Sequence, residues 1–164
     1  MPRTTRRPAA MLDALQLLIH DHKEVKALFK AYDQLVRTDG EDQEKQQLAL
    51  DICARLTVHV TLEEELLYPV AREVLADDKN LVDEADVEHA SVKALIAQIV
   101  QAMPGDPLYD AKVKVLGEYI DHHVRDEEDQ MFPKLKRSAL DLEALGEDMA
   151  MRKEELLAGM AGAE

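Results

Sequence analysis

Apolar residues recur along most of this chain at every third or fourth position, the spacing that buries one face of a helix. In the first such stretch Leu15, Leu18, His22, Val25, Phe29, Tyr32 and Val36 share a stripe, and Thr38, Asp39 and Gly40 break it. The second carries Leu48, Ile52, Leu56, His59, Glu63, Leu66 and Val70, and ends around Ala76 to Asn80. The third runs from Val82 through Ala85, His89, Val92, Ile96, Ile99 and Met103 to a strong stop at Pro104-Gly105-Asp106-Pro107. The fourth reads Val113, Leu116, Ile120, His123, Glu127, Met131 and Leu135. A weaker fifth stripe, Leu142, Leu145, Met149 and Leu156, predicts a short docking helix. Nothing alternates with period two, so strands are not expected. Short links between long helices make neighbours antiparallel. The pattern therefore predicts an all-α protein, an up-down-up-down four-helix bundle with a short C-terminal fifth helix. The bundle is expected over residues 11–137 and the docking helix and tail over 138–164. Residues 1–10, which lack apolar periodicity and are interrupted by Pro2 and Pro8, are expected to form a disordered arm.

The stripes contain an anomaly. His22, His59, Glu63, His89, His123 and Glu127 stand where the periodicity demands apolar side chains. Burying a carboxylate costs several kcal/mol unless something pairs with it. Two carboxylates and four imidazoles spread over four helices need a shared partner, and a metal ion meets that need by neutralising the acids and accepting the imidazole lone pairs.

The chain also repeats itself. His59-Val-Thr-Leu-Glu63-Glu64, followed by Tyr68-Pro69, matches His123-Val-Arg-Asp-Glu127-Glu128, followed by Phe132-Pro133. Upstream, Asp21-His22 with Val25 and Leu28 matches Glu88-His89 with Val92 and Leu95. Residues four apart lie one turn apart on the same helix face, so His59 with Glu63, and His123 with Glu127, can bind one metal or neighbouring metals. Doubling one lone His plus one His-Glu pair gives two metals in pseudo-twofold positions, each with about two imidazoles, bridged by the two carboxylates. Such mixed ligation suits iron or manganese, and zinc less firmly. No Cys ligand is offered, so a structural zinc finger is not expected.

These residues resemble the hemerythrin-like, or HHE cation-binding, family over roughly residues 11–137. The resemblance implies a four-helix bundle around a di-iron centre reactive toward oxygen or nitric oxide, with an oxo or hydroxo bridge and carboxylate bridges. It implies His22, His59, Glu63, His89, His123 and Glu127 as metal ligands. Two departures stand out. Oxygen-carrying members have two His one turn apart on the third helix, whereas here the positions around His89 are Ala85 and Lys93. They also use H-x-x-x-x-D on the fourth helix, where this chain has H-x-x-x-E. One imidazole is missing, which argues against reversible oxygen transport and leaves a coordination position for water, a tyrosinate or a substrate.

Other residues take plainer readings. His122 pairs with Asp126 at helical spacing, but the repeat selects His123, and His20 lies off the first stripe. Glu64 and Glu128 sit about 100° round the helix from the ligand carboxylates. They are expected to orient a His N–H, form a salt bridge or face solvent. Glu65 is expected on a solvated face. Tyr68 and Phe132 read as packing residues, with a phenolate ligand from Tyr68, Tyr32 or Tyr119 as the alternative. Pro69 and Pro133 each remove a helix hydrogen bond just past the site. Cys53, a lone cysteine, reads as a small helix residue in a reducing cytoplasm. No apolar run suits a secretory leader or a membrane span.

The formal net charge of −14 would repel phosphate backbones and anionic lipid, so neither nucleic acid nor membrane is an expected partner. The leading expectation is a monomeric or homodimeric iron protein that reacts with or senses O2, NO or peroxide. With no output domain fused, a sensor would signal through a separate partner. Alternatives are an enzyme that disproportionates peroxide or reduces NO, and a non-redox iron gauge or structural metal module. No phosphate loop or nucleophile motif supports a hydrolase.

Overall fold

The computed structural model describes residues 12–162, so the expected N-terminal arm lies outside the described residues. Helix α1 (Ala14–Arg37) starts at Asp13, whose carboxylate accepts from the Gln16 N–H while the Gln16 side chain accepts from the Asp13 N–H. This reciprocal cap satisfies two donors that the first turn would otherwise leave open. The helix stops where sequence predicted, with Asp39 at φ 52°. Helix α2 (Asp42–Leu62) runs into a widened π turn (Glu63–Leu67) and then α3 (Tyr68–Val74). After a 3₁₀ turn (Ala76–Asp78), α4 (Lys79–Gln101) ends before Pro104. Helix α5 (Tyr109–Asp126) repeats the second rod, passing through a π turn (Glu127–Met131) into α6 (Phe132–Lys136). Helix α7 (Leu142–Ala161) follows. Among the described residues there is no strand, and no helix is long and apolar enough to cross a membrane.

Four rods make the bundle. α1 packs against α2 and α5, and α4 packs against the same two helices. Their inward residues form two apolar layers. One contains Leu15, Leu18, Leu62, Leu67, Phe132 and Leu135. The other contains Val25, Ile52, Leu56, Val92, Val113 and Leu116. Cys53 belongs to the second layer, where burial pushes its thiol up to about 11 and keeps it inert.

The two π turns trace to the late prolines. Pro69 has no N–H, and its ring would collide with the Glu65 carbonyl in a regular helix. The chain responds by widening, and Tyr68 N–H donates to Glu63 C=O, five residues back. Pro133 imposes the same solution, with Phe132 N–H donating to Glu127 C=O. Each turn absorbs one extra residue and rotates everything after it. In the second rod burial consequently passes from the expected Leu66 and Val70 to Leu67 and Ala71.

The fifth stripe forms a 20-residue helix whose first half docks through Leu145, Gly146 and Met149. Asp141 caps it by accepting from Ala144 N–H at 3.1 Å. Helix α7 crosses the start of α1 so closely that a Cβ on Gly146 would sit 2.6 Å from Leu12 O and 2.8 Å from Ala14 N. Backbone cannot swing aside as a side chain can. Gly146→Val is therefore expected to destabilise the fold by about 1–3 kcal/mol, an overpacking cost. A denaturant melt with limited proteolysis of α7 measures this, and an unchanged midpoint would refute the close approach.

Candidate metal centre

The six polar residues singled out from the stripes meet between the two apolar layers. His22 comes from α1, His59 from the end of α2, His89 from α4 and His123 from α5, while Glu63 and Glu127 open the two π turns. All are buried, with Glu63 0% and Glu127 1% exposed. Their inward atoms fall into two trios, His22 with His59 and Glu127, and Glu63 with His89 and His123. Within each trio the donor atoms lie within 4.8 Å of one another.

The spacings fit a cation. His22 Nε2 is 3.2 Å from His59 Nε2, and His89 Nε2 is 3.0 Å from His123 Nε2. Two nitrogens bound at 2.0–2.1 Å and at right angles around one ion lie about 3.0 Å apart. The carboxylates span the trios. Glu63 Oε1 lies 2.9 Å from His59 Nε2 and 3.4 Å from His89 Nε2. Glu127 Oε1 lies 3.0 Å from His123 Nε2 and 3.6 Å from His22 Nε2. Neither Oε1 has a hydrogen-bond partner although both are fully buried. Lone pairs so placed need a positive charge between them.

The outward face of each imidazole meets another carboxylate. Asp21 Oδ2 is 3.3 Å from His59 Nδ1, and Glu88 Oε2 is 3.0 Å from His123 Nδ1. These bonds hold the Nδ1–H tautomer and aim Nε2 inward. Sequence reading marked the acid-His dipeptides without assigning the acids a role. Each acid serves the His of the neighbouring rod rather than its own neighbour in sequence. Glu128 lies 3.4 Å from His22 Nδ1 and Glu64 3.9 Å from His89 Nδ1, but neither makes a hydrogen bond to it. Glu64 instead accepts from Lys93 at 2.6 Å. Glu65 is paired with Arg152 of α7 at 2.8 Å.

Tyr68 departs from its packing role. Its hydroxyl sits among the donors, 3.1 Å from His89 Nε2 and 3.4 Å from His123 Nε2. It donates toward Glu127 Oε2 at 3.2 Å and Glu63 Oε2 at 3.4 Å. In a regular helix, five residues of separation would turn Tyr68 about 140° away from Glu63. The π turn removes one step and returns it to the Glu63 face. The aromatic-Pro pair of the repeat was the signal for this. Phe132, the matching residue, lies parallel to His22 with ring centroids 6.1 Å apart.

The other candidates lie outside. The side chains of His20 and His122 are 59% and 66% exposed. Tyr32 donates to Asp110 at 2.7 Å, and Tyr119 is exposed. Two small cavities lie against the centre. One, beside His22 and His59, is walled by Asp21 and His123 together with Val25, Leu56, Val60, Ile120 and Val124. The other, beside His123 and Glu127, is flanked by Glu84, Glu88 and Asp126. Each cavity holds about 10 Å³, room for about one water.

The acids favour the protonated forms of His59 and His123. Burial alone pushes His59 down, but Glu63 and the Asp21 hydrogen bond outweigh it and raise the ring to about 10. His123 is likewise driven up, against its burial, by Glu127, Glu63 and Glu88. Burial raises the Glu63 carboxyl, yet His59 and its other partners bring it well below the usual range. Burial, Glu63 and Glu127 together push the Tyr68 hydroxyl well up.

Comparison with known proteins places the family and the fold. Residues 13–135 match the Hemerythrin HHE cation binding domain. A Nostoc protein named DNA nickase is 31% identical over 120 residues, covering 72% of this chain but only 32% of that protein, so the chain spans about a third of its relative. A crystal structure of a hemerythrin HHE cation binding domain-containing protein from Mycobacterium kansasii superposes with a TM-score of 0.73. It covers 91% of this chain and 90% of that one at 23% identity, a likeness of fold. With three quarters of its length matched to one domain family and every rod of the bundle in place, the chain belongs to the hemerythrin HHE cation-binding family.

Proposed function

We propose that this chain is a non-haem iron protein whose two trios hold a pair of iron ions, and that the centre reacts with or senses O2, NO or peroxide. The observation that carries the reading is the pair of imidazole Nε2 contacts, 3.2 and 3.0 Å, closed by two orphaned carboxylate oxygens. Imidazole with carboxylate suits iron. Iron bound there supplies one-electron redox chemistry and an open position for a small ligand.

The residues do the rest. Glu63 and Glu127 offset cationic charge from inside, and Asp21 and Glu88 keep two imidazoles oriented. The cavities against the centre, about 10 Å³ each, suit a ligand as small as a diatomic or peroxide. A net charge of −14 disfavours nucleic acid and anionic membrane, so the activity named for the Nostoc relative is not carried over. A cytoplasmic setting is part of the same proposal.

Elemental analysis with visible spectra, recorded before and after anaerobic reduction and re-exposure to air, tests the reading. About two irons per chain with near-ultraviolet bands that bleach and return are expected. Zinc alone with a silent spectrum would refute the redox function and favour a structural metal. Metal uptake should also release protons, because His59 and His123 are protonated in the metal-free centre and neutral as ligands. Titrating metal into weakly buffered protein near neutrality should liberate about two protons per chain. No release would show that other residues bind the ion.

Tyr68 favours a second, catalytic reading, in which the centre disproportionates peroxide or reduces NO. Both reactions move protons, and the Tyr68 hydroxyl lies within donating distance of both inner carboxylates, serving one at a time. Tyr68→Phe is expected to retain metal while lowering peroxide or NO turnover per iron by about a hundredfold. Turnover equal to wild type would return Tyr68 to a packing role.

A further inference from the structure

The repeat makes the two trios near-equivalent, but one helix does not obey it. Helix α7 packs on α1, α2 and the first π turn. Its adjacent cations grip two points just outside the centre. Arg152 pairs with Glu65 in the π turn that Glu63 opens. Lys153 donates to Asp21 Oδ1 at 2.7 Å, and the other oxygen of that carboxylate backs His59. The Asp21 side chain is 9% exposed, so its charge is poorly screened and the pair is worth more than a surface contact. Glu88, the repeat counterpart of Asp21 behind His123, has no lysine or arginine partner among the described residues.

We propose that Lys153, acting through Asp21 and His59, is a positioning and charge-tuning residue that weakens cation binding at the His22–His59–Glu127 trio relative to the other trio. The proposal rests on the reading of the centre as a two-metal site. An Asp21 carboxylate shared with Lys153 accepts less strongly from the His59 N–H, and His59 becomes a poorer donor than His123. By linkage, a cation in this trio must weaken the hold of Lys153 and so loosen the second half of α7. That half is held lightly, since Met151 and Leu157 are 63% and 46% exposed.

The test is Co2+ titration of the full chain followed by visible absorption. Lys153→Met should tighten the weaker of two binding steps by about tenfold, the scale on which groups behind a ligand act. Lys153→Arg should behave as wild type. Asp21→Asn should weaken the same step, and adding Lys153→Met to it should change nothing further. A merely structural lysine would give neither the opposite signs nor the loss of effect in the double variant. Saturating Co2+ should also speed amide exchange in residues 150–161 of wild type. Two Co2+ bound with Lys153→Met indifferent, weaker, or equally active in the Asp21→Asn background overturns the proposal alone. A wild-type chain that binds no Co2+ overturns the two-metal reading and this inference with it.

Discussion

Glu63 and Glu127 sit buried at the middle of a bundle, with one oxygen apiece lacking any hydrogen-bond partner. Left unpaired, each would cost several kcal/mol, a large share of the stability of a domain this size. Much of the surrounding structure answers that charge. Four imidazoles ring the two carboxylates, outer carboxylates stand behind the rings, and Lys93 and Lys153 stand behind two of those. Sign alternates outward from the centre, so each layer stabilises the one inside it. Apolar layers above and below raise the strength of every such contact by excluding water. The arrangement calls for positive charge at its core, which the two groups of His and Glu donors could hold as metal ions.

Much of this was legible in the sequence because the helix period carries it. Ligand residues four apart stand on one face by geometry alone, and the repeat picked His123 over His122, which the structure leaves two-thirds exposed. The bundle and its breaks at Thr38 to Gly40 and at Pro104 follow from periodicity and turn chemistry. Three features were hidden for different physical reasons. Tyr68 was misplaced because the π turn changes the register that periodicity assumes, although Pro69 was visible as its cause. The orienting role of Asp21 and Glu88 was hidden because each contacts a ring on another rod, a relation that chain order does not encode. Arg152 and Lys153 fill the turn between Met149 and Leu156, where the fifth stripe carries no apolar residue, and only the docking of that helix reveals which acids they reach.

The duplication supplies two similar trios, and the departures from it give them different chemistry. At one repeat position stands Tyr68, a hydroxyl beside His89 and His123; at its counterpart stands Phe132, a hydrocarbon ring lying parallel to His22. The cavities against the centre do not share that contrast. Asp21 and His123 stand with aliphatic residues in one, and Glu84, Glu88 and Asp126 with Leu81, Ala85 and Met131 in the other. One substitution between the repeats is enough to set a hydroxyl at one end of the centre and a hydrocarbon ring at the other. Under the proposed function, a hydroxyl proton would stand within reach of His89 and His123 while His22 lies against the Phe132 ring, so the two ends would treat a bound ligand differently.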